Sequence, residues 1–424
     1  MLIDLISIFK GKNNRKLIIV KLFLMRILGG IALSLTLLFV SCGSKDEEKS
    51  VAKVDPNAPV RFDSIDWNEE VKFPNLTANQ INYYRSNVSK FYNQFWSRSK
   101  VSGGILVAKN GKIVFEQYSG QADVEKNIPL TADTPIHIAS ISKVFTGLAV
   151  LKLVEAKKLQ LDQTVKSILP EFPYEETTVR HLLNHRSGLP NYANVLYEKK
   201  LEDRENPITN QGVLNVFAKE NVGLVRRVDS GFFYSNTNFA LLALIVEKIQ
   251  KMPFPEALKY MIFDPVGMKN TFVFEYDKHK DKVSSSYGYR GTKWAWDHLD
   301  KTYGDKNIYS TPRDLLRLDR AMYSDKFLSK AIKAEAYKGY SYESKGYKNY
   351  GLGMRMLEYD NGERLLYHNG WWHGNNTVFV HDVKNNFTVI ALGNRQNKSI
   401  YSAFRLAGLH DSYPIQVPNL DSIR

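Results

Sequence analysis

The residues best suited to chemistry are a serine and a lysine three positions apart, Ser140 and Lys143. At the start of a helix this spacing puts both side chains on one face, within reach of each other. A serine hydroxyl becomes a nucleophile when a nearby amine accepts its proton, and a helix N-terminus favours negative charge. The lysine can act as a base only if burial or a neighbouring cation lowers its pKa from about 10.4. The pair therefore predicts a serine nucleophile.

The pattern alone is not specific, because S-x-x-K occurs four times in the chain and Y-x-N five times. The pattern H-x-G occurs once, from His368 to Gly370. One set of three motifs is distinguished by its order along the chain. The S-x-x-K motif at Ser140 comes first, the Y-x-N motif at Tyr234 follows, and the H-x-G motif comes last. This order resembles the serine β-lactamase and penicillin-binding protein superfamily.

Longer flanking segments support the resemblance to this superfamily. They are similar to family segments and follow the family order over most of residues 100–400. The branch that they resemble is the class C-like, β-lactamase-related one, which includes D-alanyl carboxypeptidases, D-aminopeptidases and esterases. The segments are Thr134–Lys143, Thr178–Pro190, Phe233–Asn236, Phe263–Thr271 and Ile308–Leu315.

The resemblance implies a role for each motif residue. Ser140 is then the nucleophile, and Lys143 is its proton acceptor or electrostatic partner. Tyr234 passes a proton to the leaving group and helps to activate the deacylating water. Asn236 holds the substrate amide or orients Lys143. The oxyanion hole is formed by the backbone N–H groups of Ser140 and of Trp371, which follows H-x-G on a strand expected to lie at a sheet edge.

The third motif departs from the pattern of true β-lactamases. His368, Asn369 and Gly370 stand where K-T-G is usual, and a neutral histidine holds a substrate anion less firmly than a lysine does. His368 also has an alternative interpretation, as a strand histidine without a catalytic duty. The bulky Trp371 and Trp372 follow where small residues are common. Both departures favour an esterase or peptidase over an efficient β-lactamase.

Elements that could position these residues are visible on both sides of the motifs. Thr77-Ala78-Asn79-Gln80 is a capping-box pattern, which predicts the start of a helix. Gly104–Ala108 and Lys112–Tyr118 are strand-like and are joined by Asn110-Gly111, a pair typical of a two-residue hairpin turn. Further short strand-like runs follow Tyr350, and a final helix is expected near residues 400–407. The fold class predicted is α+β, an α/β sandwich. Its antiparallel sheet combines N- and C-terminal strands, is flanked by helices and carries an inserted, mostly helical lobe.

The N-terminus has the composition of an export signal. Residues 1–41 hold six basic side chains and one acidic side chain. The basic residues precede an apolar run from Ile27 to Val40, which is too short for a spanning helix. Cys42 resembles the lipid-attachment cysteine of bacterial lipoproteins. We therefore expect an exported protein anchored by lipid to the bacterial envelope, at the outer membrane or surface. An uncleaved N-terminal anchor is the alternative.

The resulting domain prediction has three parts. They are a lipoprotein-type signal peptide over 1–41, a surface tether over 42–75, and one hydrolase domain over 76–415. Within the hydrolase domain we expect an α/β lobe of about 76–156 and 346–415 and a helical lobe of about 157–345.

Charge and cysteine content exclude several other classes. The net charge is +14, of which +9 remains from Cys42 onward, and that excess is spread over lysines without a nucleic-acid-binding motif. The single cysteine excludes an intrachain disulfide and zinc sites with several thiolates. His181 and His185 fit a structural helix end, and His368, His373 and His381 lack a carboxylate at helical spacing. We expect no nucleic-acid partner, no cofactor and no metal; the oligomeric state is left open.

The function predicted is an exported serine hydrolase that forms an acyl-enzyme on Ser140. Its partner is a small-molecule or peptide substrate with an ester or amide bond, such as a D-amino-acid peptide or an envelope-derived acyl compound. Three alternatives remain open: a true β-lactamase, a non-catalytic receptor for peptidoglycan or peptides, and a basic polymer-binding module.

Overall fold

The structure is a computed structural model that describes residues 58–64, 66–281, 283–410 and 413–414. A compact unit extends from Pro59 onward. The predicted signal peptide, Cys42 and the first part of the predicted tether lie outside the described residues. Among the helices of the described part, none combines the length and the apolar character that crossing a bilayer requires.

An antiparallel sheet of seven strands forms the centre of the fold. Its strands are β1 (Gly103–Lys109), β2 (Lys112–Ser119), β8 (Lys348–Tyr350), β9 (Arg355–Glu358), β10 (Arg364–Trp372), β11 (Asn375–Asp382) and β12 (Phe387–Gly393). Their order is β2-β1-β12-β11-β10-β9-β8. Strand β1 pairs with β12 from Gly103–Gly393 to Lys109–Phe387. The prediction that the N- and C-terminal strands share one sheet is therefore confirmed.

Two smaller sheets lie between these two groups of strands. One consists of β3 (Gln121–Asp123) and β4 (Ile128–Pro129), and the other of β5 (Ile136–His137), β6 (Phe272–Val273) and β7 (Ile308–Ser310). The second sheet brings the chain just before Ser140 beside the chain around residue 308, because Ile136 pairs with Ser310.

The helices are distributed throughout the described residues and dominate their middle part. They are α1 (Trp67–Glu70), α2 (Ala78–Phe91), α3 (Ser142–Glu155), α4 (Val179–Leu183), α5 (Tyr192–Glu198), α6 (Asn210–Lys219), α7 (Asn236–Gln250), α8 (Phe254–Leu258), α9 (Asp264–Val266), α10 (Tyr276–His279), α11 (Pro312–Tyr323) and α12 (Lys330–Ala336). Shorter or differently wound turns are the π-helices Tyr92–Ser97 and Lys259–Phe263 and the 3₁₀-helices Ala139–Ile141, Val165–Ser167 and Lys398–Leu409. The predicted final helix is thus present, wound as a 3₁₀-helix.

The central sheet separates two apolar cores, as a sandwich requires. Leu106 of β1 packs in the core that contains helices α3 and α7. Its neighbours Ile105 and Val107 pack on the other side, with α2 and the C-terminal 3₁₀-helix. Successive side chains of a strand point to opposite faces, and here both faces are covered. The predicted α+β sandwich is confirmed.

Two local predictions rest on turn and cap chemistry. Asn110 and Gly111 join β1 and β2 with φ angles of 50° and 67°, the left-handed geometry of a type I′ hairpin turn. Thr77 caps α2, since its hydroxyl accepts from the Gln80 N–H while the Gln80 side chain accepts from the Thr77 N–H. Both predictions are confirmed.

The stretch interpreted as a surface tether contains a buried anchor. Phe62 has no exposed surface and stacks on Phe327 with ring centres 4.0 Å apart. Its backbone N–H donates to the Met261 carbonyl at 3.1 Å, and Val60 N–H donates to Gln250 Oε1 at 2.8 Å. The described residues from Pro59 therefore belong to the compact unit, and a tether does not describe them.

Candidate active site

Ser140 lies in a short 3₁₀ turn at the entrance of helix α3. The preceding residue, Ala139, has φ of +50°, a left-handed conformation that is unfavourable for alanine. The turn is held in place because Ala139 N–H donates to His137 Nδ1 at 3.0 Å, while His137 Nε2 bonds Asn307 Oδ1 at 2.8 Å. On the other side, Ile308 N–H donates to the Ser142 hydroxyl at 3.1 Å. Neighbouring strands β5 and β7 thus fix the position of the serine.

Lys143 is completely buried, and its amine reaches Ser140. Nζ donates to Ser140 Oγ at 3.2 Å, to Asn236 Oδ1 at 2.9 Å and to the Asp305 carbonyl at 2.7 Å. The Asn236 amide and the Asp305 carbonyl fix the amine from two sides, and its third contact is the serine hydroxyl. The arrangement can accept a proton from Ser140.

The start of helix α7 positions Asn236 and the preceding Tyr234. Ser235 occupies the N-cap position, and its hydroxyl donates to the Pro190 carbonyl at 3.0 Å. The hydroxyl of Thr237 donates to the same carbonyl at 2.6 Å. This double attachment to the loop before α5 holds the Tyr-x-Asn segment against the lysine.

Tyr234 is surrounded by cations and aromatic rings. Its ring centre lies 5.1 Å from Lys143 Nζ and 4.7 Å from the Arg355 guanidinium. Burial raises the pKa of the Tyr234 phenol, but the charges of Lys143 and Arg355 and hydrogen bonding with Ser140 outweigh it, so the net shift is downward. A phenol with a lowered pKa beside a serine can share in moving its proton.

His185 packs beneath Tyr234, with ring centres 4.3 Å apart. Burial, followed by the charges of Lys143 and Arg355, holds the pKa of His185 well below its usual range. Its Nδ1 accepts from the Ser235 N–H at 3.2 Å. His185 is therefore a neutral packing partner of the tyrosine, in line with the structural role expected from the sequence.

Arg355 is a site residue that sequence reasoning missed. It begins strand β9, its guanidinium contacts the rings of Tyr234 and Tyr350, and it makes no ion pair with a carboxylate within the described residues. It lines a cavity of about 280 Å³ together with Arg226 and Lys348. No motif surrounds Arg355, so the sequence carries no signal for this role.

His368 lies behind the site rather than in an open cavity. It is completely buried, its Nδ1–H donates to the Asn369 carbonyl at 2.8 Å, and its Nε2 accepts from the Tyr350 hydroxyl at 3.1 Å. Burial, then the charges of Arg355 and Lys143, hold its pKa well below the usual value. A neutral imidazole with both nitrogens engaged supports Tyr350, and the guanidinium beside Tyr234 is that of Arg355.

Gly370 lets strand β10 approach the serine turn closely. A Cβ atom there would lie 2.6 Å from the Ile138 carbonyl and 2.2 Å from Thr377 Oγ1. Trp371 follows on the same strand, and its side chain is 59% exposed. The two segments predicted to supply the oxyanion hole, the serine turn and the end of β10, therefore lie side by side.

Strand β10 is not the edge strand that the sequence suggested. It lies between β9 and β11, and the two edges of the sheet are β2 and β8. However, β9 pairs only with residues 364–367 of β10, so the part of β10 beyond residue 367 has β11 on one side and the serine turn on the other.

Two histidines have carboxylate neighbours that sequence spacing did not reveal. His373 Nε2 lies 3.2 Å from Asp300 Oδ1, and His381 Nδ1 lies 2.7 Å from Asp319 Oδ1. Both partners are more than sixty residues away in the chain, so no helical spacing could have indicated them.

Comparison with known proteins agrees with this geometry. The sequence matches the family described as Beta-lactamase over residues 88–410. The chain belongs to the beta-lactamase family. Within it, the chain is 30% identical to penicillin-binding protein 4* of Bacillus subtilis, over 75% of this chain and 73% of that protein. Members of this family include hydrolases, and the chain is a penicillin-binding-protein-like serine hydrolase.

Other members of the beta-lactamase family are also similar. The chain is 26% identical to a teichoic acid D-alanine hydrolase of Staphylococcus aureus, over 76% of this chain and 78% of that protein. The fold matches that of a penicillin-binding protein from Bacillus halodurans with a TM-score of 0.68 and 24% identity, over 75% of this chain and 98% of the other.

Proposed function

We propose that this protein is an exported serine hydrolase that cleaves an ester or amide of a D-amino acid through an acyl-enzyme on Ser140. The observation that carries the proposal is the position of the Lys143 amine, 3.2 Å from Ser140 Oγ and held by two fixed acceptors. A receptor that only binds peptides has no need of an amine placed to take the serine proton.

In the proposed first step, Ser140 Oγ attacks the acyl carbon and its proton moves to the Lys143–Tyr234 pair. The carbonyl oxygen becomes an oxyanion, held by the N–H groups of Ser140 and Trp371. The bond to the leaving group then breaks, and the departing alcohol or amine takes a proton from Tyr234. In the second step, water attacks the acyl carbon and its proton moves to the pair. The bond between the acyl carbon and Ser140 Oγ then breaks, the pair returns the proton to Oγ, and the acid is released.

The proposed substrate carries a negative charge close to the scissile bond. Arg355 lies beside Tyr234, the group that faces the leaving group, and two further cations line the same cavity. Guanidinium groups bind carboxylates and phosphates through paired hydrogen bonds. Similarity to a teichoic acid D-alanine hydrolase adds a D-alanyl group as the acyl part. A D-alanyl ester on a phosphate polymer and a D-alanyl peptide with a free carboxylate both fit this description.

The proposed location rests on the N-terminal sequence. Removal of residues 1–41 and lipidation of Cys42 would attach the hydrolase to the bacterial envelope, where D-amino-acid esters and peptides occur. Metabolic labelling with an alkyne-tagged fatty acid tests this, and Cys42→Ser is the variant to compare. Labelling of the wild type alone supports the anchor, whereas equal labelling of both contradicts it.

The catalytic proposal is tested by covalent labelling and by turnover. A fluorescent fluorophosphonate should label the wild type and not Ser140→Ala. A panel of a D-alanyl ester, its L-alanyl counterpart, a D-Ala-D-Ala peptide and nitrocefin then ranks the substrates by kcat/KM. Preference for the L-ester, or fastest turnover of nitrocefin, would contradict the D-amino-acid assignment; labelling of the alanine variant would contradict the nucleophile.

A further inference from the structure

Three side chains that commonly bind metals converge close to the active site. His373 lies in the turn between β10 and β11, and Asp297 and Asp300 lie on the segment before β7. His373 Nε2 lies 3.2 Å from Asp300 Oδ1 and 3.9 Å from Asp297 Oδ2. Tetrahedral zinc with bonds of about 2.0–2.2 Å separates its ligand atoms by roughly 3.3–3.6 Å. The first separation is close to that of a zinc site, the second is slightly longer, and all three ligand atoms lie within 4.8 Å of one another.

The side chains around these three residues orient them. Asp300 is completely buried, its Oδ1 accepts from Trp372 Nε1 at 3.0 Å, and its Oδ2 accepts from the Asp297 N–H at 2.6 Å. Each carboxylate oxygen has a further lone pair, so these bonds orient the group without blocking it. The imidazole of His373 packs against Trp294 and Trp372, with ring centres 5.3 and 4.5 Å away. Such outer contacts are typical of metal sites.

The second carboxylate, Asp297, has a side chain that is 31% exposed and takes no part in the contact between His373 and Asp300. Asp300 by itself satisfies His373, while Asp297 Oδ2 is too far from the imidazole for a hydrogen bond and has none with another described residue. The buried amine of Lys306 interacts electrostatically with both carboxylates, but it donates to two hydroxyl groups and to Asp305, so its charge is shared with a third carboxylate. Two carboxylates facing one imidazole carry an excess of negative charge that a divalent cation balances.

We propose that Asp297, Asp300 and His373 bind a divalent cation, with Zn²⁺ as the best match and water as a fourth ligand. An imidazole nitrogen with two carboxylate oxygens suits zinc, whereas Mg²⁺ and Ca²⁺ favour oxygen ligands in larger number. His373 lines a cavity of about 160 Å³ that gives the ion a way in. The bound ion joins the turn after Trp371 to the segment that leads to Asp305, so its role is to stabilise the site.

Zinc binding to the metal-free full chain, measured by isothermal titration calorimetry and by thermal unfolding, tests the proposal. One equivalent of Zn²⁺ should bind, and a concentration of about one hundred times Kd should raise Tm by roughly 4 °C, while Mg²⁺ should not. Co²⁺ in place of zinc should give the visible absorption of a four-coordinate nitrogen and oxygen site.

The deciding variant is Asp297→Asn, which keeps the His373–Asp300 ion pair and removes only the third ligand. Its Tm without metal should equal that of the wild type, and its zinc affinity should fall at least about tenfold. Asp281→Asn, in the same cavity but away from the ligands, should bind zinc normally. Unchanged zinc affinity in Asp297→Asn or in His373→Gln, or no binding to the wild type at 100 µM Zn²⁺, overturns the proposal.

Discussion

The amine of Lys143 contacts three acceptors, and only the serine among them changes in the proposed reaction. The Asn236 amide and the Asp305 carbonyl stay neutral throughout, so they can hold the amine in either protonation state. The nearest ring is Tyr234, whose pKa the same amine lowers. Proton transfer is therefore a property of the Lys143–Tyr234 pair rather than of either residue alone.

Two replacements of Lys143 distinguish its role in proton transfer from its role as a positive charge. Lys143→Met should lower kcat/KM for a D-alanyl ester by about 10²–10⁴, the usual contribution of a general base. Lys143→Arg keeps a positive charge but cannot release its proton near neutral pH, so it should be equally inactive. Steady-state hydrolysis checks both, with circular dichroism to confirm folding. Activity retained by the arginine variant would assign Lys143 an electrostatic role only.

Arg355→Gln should change the choice of substrate. KM should rise at least about tenfold for a D-alanyl substrate with a carboxylate or phosphate, because a charge-assisted contact is lost. The neutral D-alanyl ester of the same acyl group should be affected much less. Arg204→Gln, at an exposed position outside this cavity, is the control. Equal losses on both substrates would show that Arg355 does not recognise the anion.

The same variant should shift the pH profile. Arg355 is one of two cations that lower the pKa of Tyr234, so its removal should raise that pKa. If the phenolate form accepts a proton, activity rises as pH rises through this pKa, and the acidic limb of kcat/KM should move to higher pH. Measured with the neutral ester, an unmoved limb or a shift to lower pH contradicts this role.

At the scale of elements, strand β10 has two different functions along its length. Its first half pairs with β9 as an ordinary sheet strand, and its second half packs on the turn that carries Ser140. Gly370 marks the point of closest approach, and the 3₁₀ turn entering α3 is fixed there by Thr377 Oγ1, which donates to the Ile138 carbonyl at 2.8 Å. The proposed oxyanion site depends on this contact.

Gly370→Ala should therefore impair catalysis more than folding. A Cβ atom 2.6 Å from a backbone carbonyl forces β10 away from the turn, which typically costs about 1–3 kcal/mol of stability. We expect kcat to fall at least about tenfold with a modest loss in free energy of unfolding. Gly223→Ala, where a Cβ meets no atom within 4 Å, is the matched control. Full kcat in Gly370→Ala would show that the approach is not needed.

The sequence predicts those structural elements that a few neighbouring residues determine. The Asn110-Gly111 turn and the Thr77 cap follow from a few adjacent residues, and Ser140 lies three positions from Lys143. Arg355 could not be predicted in this way, because its role comes from strand β9 passing Tyr234 in space. The same holds for the carboxylate partners of His373 and His381, which depend on contacts between distant segments.

At the scale of the whole molecule, the compact unit starts earlier than composition suggests. The charged and proline-containing stretch before Phe73 looks like a linker, yet Phe62 is completely buried against Phe327. One aromatic side chain in a polar context has no periodicity, so its burial could not be inferred from pattern.

Replacing Phe62 should reveal how much this segment contributes to the stability of the protein. Phe62→Ala in the full chain should lower the free energy of unfolding by about 3–5 kcal/mol, as expected for a fully buried phenylalanine. Measured by urea denaturation, the neighbouring exposed Asp63→Ala should have little effect. Wild-type stability in Phe62→Ala would show that this part of the chain does behave as a tether.

The contact between Lys143 and the Asp305 main chain limits how the site can vary. Every amino acid supplies a carbonyl oxygen, so no codon change at position 305 deletes this acceptor directly. Its position depends instead on the path of the backbone from Asp300 to Ile308, which buried side chains hold from several sides. Inactivating mutations that act through this acceptor should therefore be insertions, deletions or repacking changes in that segment, and a mutational scan of single residues would underestimate its importance.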